Sequence, residues 1–276
     1  MKIAFLALAL AIGPHAHLFQ GRAAGDVVGE FLSHPDEPSK RIEIFWARPA
    51  GEGVFPILIY IHGHQEGPRP GAAVYATGDI LKREAARGWV AVAVSQPGYG
   101  KSDGPPDFCG PRSQRAVIAV IDHFRRQPFV DARRIGLYGY SRGAVVAAMV
   151  ATRVQDLAAL VLGGGIYDLK ETLPRLAPGI QQNIEMEAGK SDEAFRARSA
   201  MQLAEQIRTP TLILHGEIDD RASAESARRF GARLEKAGTA VKVVIFPATG
   251  HGIPPAERAP HVDPFLARYL LASSPR

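Results

Sequence analysis

Short apolar runs, each ended by glycine or a turn cluster and separated by stretches of helical spacing, constrain this chain more than any other feature. Residues 54–61 hold Ile57, Leu58, Ile59 and Ile61 and stop at His62-Gly63. Residues 89–94 stop at Pro97-Gly98-Tyr99-Gly100, residues 134–138 at Gly139, and residues 157–162 at Gly163-Gly164-Gly165. Residues 211–214 and 241–246 complete the series. Runs that are apolar throughout belong to parallel strands covered on both faces. Between them, residues 77–87, 113–126, 144–150 and 222–236 have helical character, and residues 264–271 give a last helix. Parallel neighbours need crossovers, so the alternation predicts an α/β fold: a doubly wound, mostly parallel sheet with helices on both faces. Residues 41–46 alternate charged and apolar side chains, as an outer strand half exposed to water would. A length of 276 residues suits one unit of this kind.

Residues 166–206 do not follow the alternation. Leu169, Leu173, Leu176, Ile180, Ile184, Met186 and Phe195 are scattered among charges, and Pro174, Pro178 and Gly189 interrupt them. That composition suits a small helical cap inserted over the carboxyl edge of the sheet; a plain surface excursion is the alternative. At the N-terminus, Lys2 precedes an apolar run over residues 3–12 that ends at Gly13-Pro14. This is the charge, core and break of a secretory signal peptide, and the run is too short to span a bilayer comfortably. The expected organisation is a signal peptide over residues 1–24 and a catalytic domain over 25–276, in a protein exported to the periplasm or the medium. Ala16 and Ala23-Ala24 are rival cleavage sites, and a buried first strand or helix is the other reading of the run.

A hydrophobic fraction of 46% and a charged fraction of 22% exclude a disordered chain. The net charge of +5 is spread over scattered Lys and Arg, with no basic run or aromatic platform, which argues against a nucleic-acid partner. Cys109 is the only cysteine, so an internal disulfide and a cysteine-based metal site are both excluded. No cysteine lies near the start as a lipid anchor requires, and no stable membrane anchor is expected.

The chemistry concentrates on three loops. Gly139-Tyr140-Ser141-Arg142-Gly143 matches G-x-S-x-G between an apolar run and an Ala-rich helix, the strand–turn–helix setting of a nucleophile elbow. Small neighbours let strand and helix approach, and the strained turn exposes the Ser141 hydroxyl at the positive end of the helix. A hydroxyl needs a base to take its proton, and the base needs a partner to hold its tautomer. In this fold the chain order is serine, acid, histidine. Asp219 follows the run 211–214 and is the expected acid, with Asp220 and Glu217 as substitutes; His251, between Gly250 and Gly252 after the last run, is the expected base. The oxyanion donors expected are the backbone N–H groups of Arg142 and of His64 in Gly63-His64-Gln65. The Arg142 side chain either meets an anionic group of the substrate or forms an ion pair at the rim, the second being the favoured reading. His62 and His215 each end an apolar run before glycine and read as structural; His123 lies on a helix, and His15, His17, His34 and His261 have no constellation. His62 and His64 lack a third zinc ligand, so no metal and no cofactor are expected.

With these residues placed, the chain resembles the α/β-hydrolase superfamily and, more narrowly, the catalytic domain of the prolyl oligopeptidase family and its related esterases, over residues 54–270. Beyond the elbow, the resemblance is carried by Gln96-Pro97-Gly98-Tyr99-Gly100-Lys101-Ser102, by Ile207-Arg208-Thr209-Pro210-Thr211-Leu212-Ile213-Leu214-His215-Gly216 and by Gly250-His251-Gly252. It implies Ser141 as nucleophile, Asp219 as acid and His251 as base. Proline-cutting members usually carry a propeller domain before the catalytic one and a tyrosine in the oxyanion loop; here fewer than sixty residues precede Val54, and residues 62–70 hold no tyrosine. The expected function is a metal-free serine hydrolase that forms an acyl-enzyme with small or medium carboxylic esters. A peptidase or amidase acting on short peptides with the same residues is the alternative. An acyltransferase follows if the cap excludes water, and a non-catalytic binding protein that kept the fold is the reading from a different class.

Overall fold

Eight strands form one sheet in a computed structural model that describes residues 26–272; the expected signal segment, residues 1–24, lies outside the described residues. The strands are β1 (Val28–Ser33), β2 (Arg41–Ala47), β3 (Phe55–Ile61), β4 (Val90–Val94), β5 (Val130–Tyr140), β6 (Ala159–Gly163), β7 (Thr211–Gly216) and β8 (Val241–Phe246). Their spatial order is β1-β2-β4-β3-β5-β6-β7-β8. β1 pairs with β2, and β2 with β4, antiparallel; every other pairing is parallel. The helices are α1 (Ala73–Thr77), α2 (Ile80–Ala85), α3 (Pro111–Arg125), α4 (Arg142–Ala151), α5 (Leu169–Thr172), α6 (Pro178–Ala188), α7 (Asp192–Arg196), α8 (Ala224–Lys236) and α9 (Pro255–Leu266).

The apolar runs are continuous because each strand feeds two cores. Ile57, Ile59 and Ile61 of β3 pack with α3, α4 and α8, whereas Leu58 and Tyr60 face α2 and α9. Val90, Val92 and Val94 of β4 follow the first pattern, and Ala91 and Ala93 the second. This two-faced burial is what the unbroken hydrophobicity of a parallel strand encodes.

Three local expectations change. The outer strand is β1, not residues 41–46: β2 lies between β1 and β4 and buries Ile42, Ile44 and Trp46. The helix expected over 77–87 is two short helices, divided at Asp79, whose φ of +52° breaks the helical path. The last helix starts at Pro255 and carries Pro260 and Pro264 inside it before a π turn over Ala267–Leu271. Residues 166–206 are helical, comprising α5, α6, α7 and two 3₁₀ turns, Leu173–Arg175 and Ala200–Gln206. Leu169, Leu173, Ile184 and Met201 join the core of α3, α4 and α8, and Tyr167 stacks on Phe230 of α8 with ring centres 4.3 Å apart.

Candidate active site

The elbow is built as its spacing requires. Ser141 separates β5 from α4 with φ +54° and ψ −119°, a conformation that L residues rarely adopt and that persists only where the surroundings fix it. Its N–H donates to Gly163 O at 2.7 Å, and its carbonyl accepts from Ala144 N at 2.9 Å. A Cβ on Gly139 would lie 2.1 Å from Gly143 O, and one on Gly143 would lie 1.9 Å from Ile61 O. Both positions therefore demand glycine for contact, and the contact sets the turn.

Three distant side chains meet there. His251 Nε2 lies 2.9 Å from Ser141 Oγ, and His251 Nδ1 lies 2.9 Å from Asp219 Oδ2. A carboxylate can only accept, so Nδ1 carries the proton and Nε2 is left to receive one from the hydroxyl. The other carboxylate oxygen, Asp219 Oδ1, accepts from the N–H groups of Arg221 at 2.8 Å and Ala222 at 3.0 Å. Burial pushes the Asp219 carboxyl up, but the hydrogen bond and charge of His251, with the Arg221 N–H and His215, outweigh it and hold the group below its ordinary range. Of the two substitute acids, Asp220 is exposed, and Glu217 pairs with Arg228.

The residues around the relay fix its backbone. Tyr140 donates its hydroxyl proton to His251 O at 2.7 Å and accepts from Ile253 N at 2.8 Å, so the residue before the serine holds the histidine loop. His215 is wholly buried, donates from Nε2 to Ala222 O at 2.8 Å, and stands 3.4 Å from Asp219 Oδ2. Burial lowers its pKa. His62 donates from Nδ1 to Gly63 O at 2.7 Å and accepts from Gln96 N at Nε2 at 3.1 Å; burial pushes it down to about 4, which keeps it neutral. Both histidines therefore shape turns, as their positions predicted.

On the β3 side, Gly63 lies against the serine: a Cβ there would be 3.1 Å from Ser141 Cβ. Neither His64 N–H nor Arg142 N–H meets an acceptor among the described residues. His64 Nδ1 is 2.9 Å from the Tyr99 hydroxyl, which also accepts from Arg142 Nη1 at 3.2 Å. Burial, followed by the Arg142 charge, lowers the pKa of His64.

The Arg142 side chain makes the favoured ion pair, but not at the rim. Its Nη1 is 2.5 Å from Glu187 Oε2 on α6, and both side chains are more than nine-tenths buried. Glu187 also accepts from Phe108 N at 3.2 Å, and the guanidinium lies 4.8 Å from the centre of the Phe108 ring. Sequence reasoning passed over Tyr99 and Glu187. One signal existed: a cation in the first turn of a helix opposes the dipole and asks for a carboxylate nearby.

Ser141 and His251 open onto a cavity of about 450 Å³. Phe108, Val145, Ile166, Ile180 and Ile184 supply an apolar wall, so α6 and the start of the insertion form one side of it. Among the described residues no three His, Cys, Asp or Glu side chains converge to hold a metal ion, and no helix is long and apolar enough to cross a membrane.

The sequence pattern of the prolyl oligopeptidase family (peptidase family S9) matches residues 109–273, and that of the X-Pro dipeptidyl-peptidases (family S15) matches residues 39–174. The uncharacterized peptidase YuxL of Bacillus subtilis is 27% identical over 240 residues, covering 82% of this chain but only 36% of that protein. YtmA, another uncharacterized peptidase of B. subtilis, is 25% identical over 231 residues, covering 79% of this chain and 84% of its own. Among solved structures, a putative dipeptidyl aminopeptidase IV from Bacteroides ovatus superposes with a TM-score of 0.76 at 16% identity, over 89% of this chain and 36% of that one. The Pyrococcus furiosus esterase Pf2001 does so with a TM-score of 0.69 at 18% identity, over 88% and 93%. At such identities the structural likeness shows a shared fold, the α/β-hydrolase fold. The family pattern covers more than half of the chain and takes in the serine, acid and histidine loops together, so the chain belongs to the prolyl oligopeptidase family and is a serine hydrolase.

Proposed function

We propose that the protein hydrolyses small to medium carboxylic esters through Ser141, His251 and Asp219. The observation that carries the reading is the unbroken hydrogen-bond relay from Ser141 Oγ through the His251 ring to Asp219. Ser141 Oγ attacks the acyl carbonyl as His251 Nε2 takes its proton, and the charge on the carbonyl oxygen falls to the N–H groups of Arg142 and His64. The imidazolium then returns its proton to the leaving oxygen. Water, deprotonated by the same nitrogen, releases the acid and frees the serine. A preorganised donor of this kind contributes about 3 kcal/mol in the transition state. The insertion, residues 166–206, acts as the cap of the pocket, and a cavity of about 450 Å³ suits a compact acyl group.

The peptidase names of YuxL and YtmA favour one second reading, cleavage of short peptides by the same residues. A panel of 4-nitrophenyl esters against aminoacyl and dipeptidyl 4-nitroanilides separates the two. Esters turned over faster support the proposal, and anilides turned over faster replace it with the peptidase. Fluorophosphonate labelling of the wild type but not of Ser141→Ala supports the relay, and absence of label overturns it. Export through residues 1–24 belongs to the same proposal and rests on their charge, apolar core and break. The N-terminus of the protein recovered from its own cells tests it, and a mature chain that begins at Met1 rejects it.

A further inference from the structure

The polar part of the cavity is not neutral. Arg142 is cancelled by Glu187, but two more arginines, Arg69 and Arg221, line the same space, and neither has a carboxylate partner among the described residues. Arg69 is the better held. Its backbone has φ +46°, a left-handed conformation unusual for a side chain of this size, and its carbonyl accepts from Gly100 N at 2.7 Å. Its guanidinium lies 5.5 Å from the centre of the Tyr99 ring, beside the hydroxyl that bonds His64 and Arg142. Strain of this kind survives only where the rest of the fold fixes it, and it collects at ligand clamps. Arg221 follows the acid by two residues, and its N–H is already committed to Asp219. Against these cations the lining holds one carboxylate, Glu66; Glu66 and Arg221 are both exposed, and Arg69 is half-buried.

We infer that the substrate carries a carboxylate a few bonds from its scissile carbonyl, and that Arg69, assisted by Arg221, binds it. This rests on the proposed hydrolase reading and adds the substrate class to it. A guanidinium offers a planar fork that matches a carboxylate with two hydrogen bonds. A side chain already held against an aromatic ring loses little freedom when it does so. The apolar wall of Val145, Ile180 and Ile184 takes the uncharged part of the molecule. The substrate class is therefore an amphipathic ester or amide with one apolar arm and one anionic end.

Two matched pairs test the inference from the two sides of the scissile bond. On the acyl side, the mono-4-nitrophenyl ester of suberic acid is compared with that of suberamic acid. On the leaving side, 4-acetoxybenzoate is compared with 4-acetoxybenzamide. Each kcat/KM is divided by the spontaneous hydrolysis rate of the same compound. The carboxylate member of at least one pair should be favoured about ten-fold or more, the size of one charge-assisted hydrogen bond. Arg69→Gln should bring that ratio close to one, and Arg221→Gln should lower it in part. Damage to the fold lowers both members of a pair together and leaves the ratio standing. A ratio at or below one in both pairs, or one that survives Arg69→Gln, overturns the inference. The same pairs titrated calorimetrically into the Ser141→Ala protein give the affinity ratio without turnover. A carboxylate preference there with no fluorophosphonate label on the wild type defeats the hydrolase reading and keeps the anion site; label without preference does the reverse.

Discussion

Arg142, the first residue of α4, and Glu187, one residue from the end of α6, form a buried ion pair of 2.5 Å between the elbow helix and the insertion. The pair ties the insertion, through α6, to the first residue of α4, directly after Ser141. Taking one partner away leaves a charge more than nine-tenths buried without its counter-ion, which costs far more than the pair itself contributes.

Glu187→Ala should therefore destabilise the protein by about 3 kcal/mol, with a lower Tm and faster hydrogen exchange in 178–188 than elsewhere. The double variant Arg142→Met/Glu187→Leu should recover most of that loss, since a buried ion pair replaced by packed apolar groups is often neutral. A double variant no more stable than the single one would show that the pair is not the element holding α6.

Asp219→Asn should keep the fold and reduce kcat by about four orders of magnitude, because an amide at Oδ2 lets the imidazole settle in the wrong tautomer. Ser141→Ala should lose on the order of 10⁶ in turnover. Asp220→Asn should stay close to wild type, since that side chain is exposed and takes no part in the relay. Parallel losses in Asp219→Asn and Asp220→Asn, measured as kcat on one ester, would mean that the loop and not the carboxylate matters.

The strands were legible because a parallel strand buried on both faces is apolar along its length, as β3, β4, β6 and residues 212–214 of β7 are. β1 was not, because an edge strand of sequence VGEFLS needs one buried face only and takes its register from β2. The start of α9 was hidden because Pro264, the expected first residue of the last helix, lies inside it together with Pro260, where proline is rare. For the site, chain order and strand ends located three loops and favoured Asp219, but left Glu217 and Asp220 as substitutes. What separates them in space is a pair of backbone N–H groups, Arg221 and Ala222, which bond Asp219 Oδ1 while its Oδ2 meets His251. Glu187 lies 45 residues from Arg142, so no local spacing could announce their meeting.

Stability should fall as the solution is acidified through the range set by His62. Burial lowers its folded pKa from 6.5 to about 4, so the unfolded chain binds the proton first. The contribution is complete above about pH 6.5, declines as pH falls, and is exhausted near pH 4, for a total of about 3 kcal/mol. His215, also lowered by burial, acts in the same direction. Urea denaturation between about pH 7.5 and pH 4.5 measures the slope. His62→Gln should be less stable at the upper end but show a shallower decline; identical slopes in the two proteins would remove His62 as the source.

Glycines at the site divide into those that contact demands and those that it does not. At Gly143 an added methyl meets Ile61 O at 1.9 Å and His62 O at 2.9 Å, both backbone atoms that cannot yield without moving β3 from α4. Gly143→Ala should therefore cost more than about 4 kcal/mol, or leave the protein insoluble. At the glycines flanking His251 contact makes no such demand: nothing lies within 4 Å of a Cβ on Gly252, and only Ile218 O, at 3.8 Å, comes near one on Gly250. Gly252→Ala should stay within about 1 kcal/mol of wild type and keep its kcat/KM. Thermal melts and one ester assay on the two alanine variants check the contrast. A large loss in Gly252→Ala would mean that the histidine loop has to move during turnover, because the static geometry offers the methyl group no obstacle.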